Sequence, residues 1–528
     1  MPEPTEPTRS PSPAPHPAAG WFSLGDVLAG HAATRAGEVA LVCGPDRLSW
    51  RALDRRVDAL AAVLVDRGAG PGERVLWLGQ NCHRLLEALF AAARLGAVVC
   101  PVNWRQRPEE LRFVLNDADP AVVLWQAEEI GDAVAAVRPA AAGRRWIGHD
   151  DPGEHGYEAL VAERLANGAA PPGPAAVDPV DPGEPVLMLY TAAFDGRPNG
   201  ALLSHTALLA QTTTLRLLEG VGADEVFLNS GPLFHIGTLR RTLAVAHAGG
   251  RNVMLRRVVA DELCRLVEAE RCTSAFLQRP TMEQLVEHNR AGGHDLSSLR
   301  TPPGPPGWDE MVTVVPGPRV RSGYGQTELA GVVTFTLPER PTVGGLPGPL
   351  AAVEVLDPSG APVPAGQTGE IAVRGPMVMN GYHRRPELSE AKRRHGWHHS
   401  GDLGRREADG SISFVGPLHK MIKSAAENVY PAEVEAALRR HPGVAKAAVV
   451  GVPDATWGQR VLAVVVPAPD ADRDTLVKAL TEHCSTELAG YRRPRLFELV
   501  DELPTRAGAV DYDALDSRFG GGGYPGEG

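Results

Sequence analysis

The sequence is poor in cysteine, and no two cysteines share a familiar ligand spacing. Six cysteines occur among 528 residues. None forms a C-x-x-C pair or shows the spacing of zinc ligands, which argues against a disulfide framework and against a zinc module. We expect a reducing environment and mostly buried thiols for Cys43, Cys82, Cys100, Cys264, Cys272 and Cys484.

Positive charge and long apolar runs are also scarce. The formal net charge is -11, and phosphate backbones select basic faces, so the composition argues against a nucleic-acid partner. Apolar stretches such as residues 85–99 are interrupted by Glu87 and Arg94, and no segment is predicted to span a bilayer. The Pro-rich N-terminus lacks the apolar region of a signal peptide. We therefore expect a disordered leader and a cytoplasmic protein.

Apolar segments of strand type alternate with segments of helix type over most of the chain. The run RVLWL at residues 74–78 predicts a buried strand, residues 84–95 a helix, and residues 97–101 the next strand. Strands that alternate with helices form βαβ units and a mostly parallel sheet. Short strand-like segments at 353–356 and 369–374, with Gly and Pro nearby, indicate a small β-subdomain.

The pattern changes after residue 415. Helices are predicted over 431–440 and 473–488, and strands over 447–452 and 461–466. A chain of 528 residues is also too long for one simple core. We predict an α/β protein with a disordered leader (1–20), a large N-terminal domain of mostly parallel sheets with flanking helices plus the β-subdomain (21–418), a small α+β C-terminal domain (419–517) and a flexible tail (518–528).

Four short motifs follow one another along the chain. PLFH ends at His235, YGQTE runs from Tyr324 to Glu328, SGDL contains Asp402, and ENVYP begins at Glu427. In this order they resemble motifs of the adenylate-forming superfamily, which includes acyl-CoA synthetases, adenylation domains and luciferases. The resemblance covers about residues 21–515, and several segments, including PVNWR at 101–105, are similar to acyl-CoA synthetases in particular.

The resemblance implies a role for each motif. The Thr327 hydroxyl would contact nucleotide phosphate, and the Glu328 carboxylate would help to hold Mg²⁺. Asp402 would bind both ribose hydroxyls, a task that suits a carboxylate because it accepts two hydrogen bonds. Phe234 and His235 would border the acyl pocket. The predicted catalytic residues are Thr327, Glu328 and His235, the predicted nucleotide-binding residues are Thr191, Gly196, Tyr324, Thr327 and Asp402, and the predicted metal ligand is Glu328.

The resemblance also implies a reaction. In the superfamily, a carboxylate attacks the α-phosphate of ATP, pyrophosphate leaves, a mobile C-terminal domain turns about a hinge, and the thiol of CoA attacks the acyl-adenylate. ATP or AMP, Mg²⁺ and CoA are therefore the expected cofactors and co-substrates. His235 and Phe234 favour a small apolar or aromatic carboxylic acid as the substrate.

Several nucleotide-site motifs depart from the family pattern. The phosphate loop, which resembles Y-T-S-G-T-T-G-x-P-K-G in the family, reads YTAAFDGRPNG at 190–200, between a strand predicted at 186–189 and a helix predicted after Ser204. The resemblance implies that Asp195 would face the phosphates, and Asn199 replaces the loop lysine. The adenine-flanking segment at 301–308 is shorter. The hinge reads GPLHK and lacks its arginine, and Ala425 and Ala426 replace paired glycines. Near the C-terminus, PTRAGA places Ala509 where the family carries the lysine that bridges carboxylate and α-phosphate.

Three functional hypotheses follow from this mixture of kept and lost residues. The first is an acyl- or aryl-CoA ligase with impaired or altered adenylation. The second is an inactive homologue that binds an acyl ligand, an acyl-adenylate or a partner protein. The third is a scaffold reassigned to another condensation in a biosynthetic pathway, with Asp195, His419 and Lys420 as new ionisable groups near the old site.

Overall fold

The computed structural model describes residues 19–141, 143–168, 180–191, 198–315, 321–337, 339–418, 421–424, 427–506 and 509–521. The α-helices in these ranges are α1 (Leu24–Thr34), α2 (Trp50–Asp66), α3 (His83–Leu95), α4 (Pro108–Ala118), α5 (Ala127–Val137), α6 (Tyr157–Ala166), α7 (His205–Glu219), α8 (Ile236–Ala248), α9 (Ala260–Glu270), α10 (Arg279–His288), α11 (Pro386–Lys392), α12 (Pro431–Arg439), α13 (Arg473–Glu487) and α14 (Tyr512–Phe519).

Within the same ranges the strands fall into eight sheets and ribbons. They are β1 (Val39–Cys43), β2 (Asp46–Ser49), β3 (Arg74–Leu78), β4 (Val98–Val102), β5 (Val122–Trp125), β6 (Arg145–Gly148), β7 (Pro185–Thr191), β8 (Asn199–Ser204), β9 (Val226–Asn229), β10 (Arg251–Met254), β11 (Ser274–Ala275), β12 (Arg300–Thr301), β13 (Thr313–Val314), β14 (Arg321–Ser322), β15 (Gly325–Gln326), β16 (Gly331–Val332), β17 (Thr334–Thr336), β18 (Leu346–Pro347), β19 (Ala352–Leu356), β20 (Thr368–Arg374), β21 (Gly381–Tyr382), β22 (Arg393–Arg394), β23 (Trp397–Arg406), β24 (Ile412–Pro417), β25 (Ile422–Ser424), β26 (Glu427–Val429), β27 (Val444–Asp454), β28 (Gly458–Pro467), β29 (Leu496–Leu499), β30 (Thr505–Arg506) and β31 (Ala509–Val510).

Two mostly parallel sheets form the frame of the large N-terminal part. Seven strands lie in the order β21-β8-β7-β4-β3-β5-β6, and five lie in the order β11-β9-β10-β1-β2. Helix α3 packs between them and contacts strands of both, and α2 joins it in one apolar core that includes Trp50, Leu60 and Phe90. The predicted α/β class with mostly parallel sheets is confirmed.

A separate antiparallel sheet carries the predicted β-subdomain. Strands β19, β20, β23 and β22 follow one another in this sheet, and β24 pairs with β23. The expected short strands at 353–356 and 369–374 are β19 and β20. Strand β23 carries the SGDL motif, so this sheet determines where Asp402 lies.

The last part of the chain has an apolar core of its own. Strands β26, β25, β28 and β27 lie side by side, and β29 pairs with β28 in parallel. Val449, Val461 and Leu480 are buried within this core. The predicted domain boundary at 418/419 stays a prediction, and residues 419 and 420 lie outside the described ranges.

One local expectation needs correction. The sequence predicts a strand, a loop and then a helix from residue 186 onward. The helix begins as expected after Ser204, whose side chain accepts a hydrogen bond from the amide of Ala207. Between the loop and the helix, however, the chain forms β8, which pairs antiparallel with β7 and sets Asn199 opposite Thr191. Asn199 is consequently buried rather than part of an open loop.

Burial of the thiols agrees with the sequence expectation. Five of the six cysteines are buried, and Cys43 is half-buried. Burial raises the pKa of Cys264 and Cys484 to about 11 and that of Cys272 to about 12. These thiols are therefore protonated at neutral pH and unreactive. Within the described residues, no helix is long and apolar enough to cross a membrane.

A buried ion network ties α2, α3 and α6 together. The Arg56 guanidinium donates to the fully buried Glu87 carboxylate at 2.6 and 3.1 Å and also reaches Glu158. The Tyr157 hydroxyl donates to the Glu87 Oε2 at 2.7 Å. A buried charge is tolerated only when its hydrogen-bonding capacity is met, so each donor matters.

Removing one of these donors is expected to destabilise the large part of the chain. Tyr157→Phe leaves Glu87 with one donor fewer, and we expect the free energy of unfolding to fall by about 1–3 kcal/mol. Urea titration followed by circular dichroism measures the change. Glu163→Gln, on the exposed face of the same helix, is the control and should leave the midpoint unchanged. Equal midpoints for Tyr157→Phe and the parent would contradict the assigned role.

Candidate active site

Glu328 lies in a polar cluster at the carboxyl end of β7. It follows β15 in a 3₁₀ turn at Thr327–Leu329. Its Oε1 accepts a hydrogen bond from the Tyr382 hydroxyl at 2.8 Å and one from the Thr191 hydroxyl at 3.2 Å. Both of these donors, the ones found among the described residues, bind Oε1 of Glu328. The Oε2 atom is therefore available to a cation. A carboxylate held in this way fits Mg²⁺, which proteins bind through one or two carboxylates together with substrate phosphates.

Asp402 is fixed by two side chains of the YGQTE motif. The Tyr324 hydroxyl donates to its Oδ2 at 2.6 Å, and the Gln326 amide donates to the same oxygen at 3.3 Å. Burial raises the pKa of Asp402 to about 6, the neighbouring Glu328 charge adds to the rise, and the Tyr324 hydrogen bond opposes it. Since both donors use Oδ2, the other oxygen is left for a ligand hydroxyl, which fits the expected ribose contact.

The close packing around Gly325 explains why the YGQTE motif has a glycine at this position. Strands β15 and β16 pair so that Gly325 lies opposite Val332. A side chain at residue 325 would collide with the carbonyl oxygen of Gly331. Only glycine permits this close approach, and the approach places Tyr324, Gln326 and Glu328 at one edge of the site.

His235 lies apart from this cluster, at the start of α8. Its Nε2 is 3.3 Å from the Glu427 Oε2, and Glu427 belongs to β26 in the C-terminal part of the chain. Burial alone would raise the pKa of Glu427, but the close contact with the His235 imidazole and the attraction of that ring hold it below the ordinary value. The pair therefore joins the predicted acyl-pocket motif to the ENVYP motif.

Asn81 is a structural contributor that sequence reasoning did not single out. Its amide donates to the carbonyl oxygen of Gly231 at 2.7 Å, and its Oδ1 accepts from the amide of Leu233 at 3.1 Å. These contacts hold the PLFH segment from the end of β3. The position directly after a parallel strand was the available signal, because ligand sites gather at that edge of such sheets.

The predicted site residues are thus divided between two clusters. Thr191, Tyr324, Glu328 and Asp402 come together, and Thr327 lies beside Glu328 in the chain. His235 belongs to the second cluster with Glu427. Gly196 lies outside the described residues, as do Asp195, His419, Lys420, Ala425 and Ala426. The roles of all these residues remain predictions.

A second contact between the two parts of the chain involves Arg492. Its guanidinium donates to the Glu110 Oε1 at 2.7 Å, across 382 residues of sequence. It also lies 3.4 Å from the Glu433 carboxylate. Together with the His235–Glu427 pair, this contact sets β26 and the turn at Gly490–Arg492 against the large part of the chain.

Comparison with known proteins assigns the chain to a family. The model for the AMP-binding enzyme family matches residues 28–383, and the model for the AMP-binding enzyme C-terminal domain matches residues 433–508. The chain therefore belongs to the AMP-binding enzyme family, and the predicted membership of the adenylate-forming superfamily is confirmed.

Individual proteins that are similar to this chain include CoA ligases and an amide bond synthetase. Feruloyl-CoA synthase of Amycolatopsis is 37% identical over 491 residues, which cover 90% of this chain and 95% of that protein. Indoleacetate–CoA ligase of Aromatoleum aromaticum is 33% identical over 514 residues, which cover 93% and 97%. Among solved structures, the amide bond synthetase McbA from Marinactinospora thermotolerans has a TM-score of 0.78 at 27% identity and covers 94% of this chain and 100% of its own.

In the reaction that the resemblance implies, neutralising Glu427 is expected to slow transfer from the acyl-adenylate without affecting adenylate formation. Glu427→Gln removes one charge of the His235–Glu427 pair, and we expect the transfer rate to fall about tenfold. Single-turnover assays with a pre-formed acyl-adenylate measure this step. Glu487→Gln breaks an ion pair with Arg440 inside the C-terminal part and is the matched control. An equal loss in both variants would assign the effect to folding instead of the contact.

Proposed function

We propose that the chain is an acyl- or aryl-CoA ligase that activates a small carboxylic acid as its acyl-adenylate and then forms a thioester. The observation that carries this proposal is the hydrogen-bonded set of Tyr324, Gln326 and Asp402 beside Glu328. A half-buried carboxylate with one free oxygen suits a ribose, and Glu328 with a free oxygen suits the cation that accompanies triphosphate. Magnesium bound at Glu328 would offset phosphate charge.

We further propose that adenylation is the weak step. Attack on the α-phosphate develops charge on phosphorus and on the leaving group, and this charge needs fixed cations and N–H donors. The sequence lacks the loop lysine, the hinge arginine and the C-terminal lysine of the family. Their effects are not expected to multiply, because groups that act as a unit are rarely additive.

The acceptor is proposed to be a nucleotide-bearing thiol such as CoA. A pocket beside Glu427 is lined by three arginines and two aromatic residues, which are Arg460, Arg493, Arg495, Trp457 and Tyr491. Trp457 is 42% exposed, and the Arg495 guanidinium lies 5.6 Å from its ring centroid. Guanidinium groups recognise phosphates, and an exposed aromatic face suits a purine. The pocket shares Glu427 with the His235 pair, which supports a path from the pocket to the acyl motif.

A second candidate acceptor is an amine. The similarity to an amide bond synthetase extends over 94% of this chain. The same acyl-adenylate would then yield an amide, which corresponds to the reassigned condensation predicted from the sequence. An assay that offers both acceptors separates the two candidates.

The experiment begins with calorimetry of Mg·ATP and of AMP, titrated separately into the purified protein. Pyrophosphate–ATP exchange is then measured with a panel of acids that includes ferulate, cinnamate, indole-3-acetate and straight-chain fatty acids. Finally, synthetic acyl-adenylates are offered with CoA, with pantetheine or with an amine. We expect binding of both nucleotides, slow exchange and faster thioester formation from the pre-formed adenylate, with CoA preferred over pantetheine.

Other outcomes would favour another hypothesis. Amide formation without thioester would identify the amine as the acceptor. Failure to bind either nucleotide, together with no transfer from any adenylate, would favour the inactive homologue that binds an acyl ligand or a partner protein.

A further inference from the structure

Helices α9 and α10 bring together three side chains that are suited to hold a metal ion. Asp261 lies in the first turn of α9, His288 in the last turn of α10, and His294 in the segment that follows. One ligand atom from each lies within 4.8 Å of the other two. In the part of the chain that the structure describes, no other group of three histidine, cysteine, aspartate or glutamate residues meets this condition.

One distance within this triad matches the spacing of neighbouring ligand atoms around a bound ion. The His288 Nε2 lies 3.4 Å from the Asp261 Oδ1. Ligand bonds of about 2.0–2.1 Å in a tetrahedral site place neighbouring ligand atoms about 3.3–3.4 Å apart. The Asp261–His288 edge already has this length, and a ligand atom of His294 lies within 4.8 Å of both partners.

Glu268 contacts the His294 ring in a way that suits metal binding through the other ring nitrogen. The Glu268 Oε2 lies 2.9 Å from the His294 Nδ1, and the Glu268 Oε1 accepts a hydrogen bond from the amide of Asp295 at 3.1 Å. A carboxylate at Nδ1 favours the tautomer with the proton on that nitrogen, which leaves the Nε2 lone pair free. Histidines that bind metals in proteins are commonly oriented by this arrangement.

The backbone that carries His294 is also held in place. The Asn289 amide donates to the carbonyl oxygen of His294 at 3.0 Å, and the Asn289 Oδ1 accepts from the amide of His294 at 2.9 Å. Leu263, Val267 and Leu285 join the two helices in one apolar core. The three ligands therefore project from a rigid frame, which reduces the entropy lost when an ion binds.

We propose that Asp261, His288 and His294 bind a divalent transition-metal ion, for which Zn²⁺ is the best match, and that the ion fastens the start of α9 to the end of α10. Two imidazoles with one carboxylate favour zinc-class metals over Mg²⁺ or Ca²⁺, which prefer oxygen ligands. Water would complete the coordination. Asp261 and His288 are exposed, so solvent would reach the bound ion.

Zinc titration of tag-free, chelator-treated protein tests this proposal. We expect calorimetry to show one Zn²⁺ per chain, the melting temperature to rise on binding, and Co²⁺ to give the visible absorption of a low-coordinate site. His288→Ala should abolish binding. Glu268→Gln should weaken it about 10–100-fold, because it removes the charge that orients His294. An excess of Mg²⁺ should not displace the ion.

His155→Ala is the matched control, because His155 is an exposed histidine beside Glu154 outside the triad. It should bind Zn²⁺ like the parent. The metal-free melting temperature of His288→Ala should match that of the metal-free parent to within about 2 °C, which separates loss of binding from loss of folding. The proposal is overturned if the parent binds no Zn²⁺, or if His288→Ala and His294→Ala both keep the parent's affinity.

Discussion

Replacing Ala509 with lysine is expected to raise the rate of acyl-adenylate formation by about 10²–10³-fold. The sequence PTRAGA places this residue where the family carries the lysine that bridges carboxylate and α-phosphate. Ala509 begins β31, which pairs with β30 in a short hairpin. The resemblance implies that the C-terminal domain turns about its hinge to bring this hairpin to the nucleotide. Pyrophosphate–ATP exchange measures the gain.

The structure indicates that the second missing lysine, at residue 199, cannot be restored in the same way. Asn199 is buried at the start of β8, opposite Thr191. An ammonium group at residue 199 would have to shed its hydration there, which is costly without a partner charge. We therefore expect Asn199→Lys to destabilise the protein and to restore little activity, so that Ala509→Lys alone is the productive change.

A control variant distinguishes the effect of a lysine at residue 509 from the effect of one added positive charge elsewhere in the same part of the chain. Ala445 is an exposed alanine in β27 of the same part of the chain, and Ala445→Lys should leave exchange unchanged. Unaltered exchange in Ala509→Lys, measured with an acid that the parent converts, would mean that the missing lysine does not limit adenylation.

Asp402→Asn is expected to weaken nucleotide binding strongly and to stabilise the empty protein at the same time. Asparagine keeps an acceptor for the Tyr324 hydroxyl but removes the charge and one of the two acceptor oxygens. Hydrogen bonds to charged groups contribute about 1.5–3 kcal/mol each, so we expect the affinity for AMP to fall at least about tenfold. Calorimetry at pH 8 measures this loss.

The stability effect follows from the pKa of Asp402, which rises from 3.8 to about 6 on folding, mainly through burial. A carboxyl group with a raised pKa favours the folded state while it is protonated. That contribution is complete below the unfolded pKa and is lost as the pH rises through about 6. At pH 8 the carboxylate is ionised, and its charge destabilises the folded state. We therefore expect Asp402→Asn to increase the free energy of unfolding by about 1–3 kcal/mol.

Thermal melts at a series of pH values test this sign. The difference between Asp402→Asn and the parent should shrink as the pH falls from 8 towards 4, where both side chains are neutral. Glu387→Gln, on the exposed side of α11, should melt like the parent throughout. A variant less stable than the parent at pH 8 would show that ionised Asp402 is favourably solvated in the folded protein.

Local sequence patterns predicted the regular elements well. The run RVLWL is β3 at the expected bounds, because a short apolar run between polar turns has few alternatives. Helix α3 begins one residue earlier than expected, at His83. Strand β8 was not foreseen, because NGALLS lacks the alternation that marks a half-buried strand and is buried along most of its length.

The contacts that shape the candidate site could not be predicted in the same way. Motif residues Glu328 and Asp402 were named from the resemblance, but the donors that hold Glu328 are distant in sequence. Tyr382 lies 54 residues away and Thr191 lies 137 residues away. The Arg492–Glu110 bridge spans 382 residues. Such pairs depend on how sheets and helices pack, and no local periodicity encodes that packing.

The burial of the cysteines makes this chain convenient for fluorescence spectroscopy. Five thiols are enclosed, and Cys43 is the half-buried exception, so Cys43→Ser would give a background that maleimide dyes label poorly. Cysteines introduced at Glu163 and Ala445, which are exposed in the large and C-terminal parts respectively, would then accept a donor and an acceptor dye. Energy transfer between the dyes in single molecules would report in real time how the two parts move as ATP, acid and thiol are added in turn.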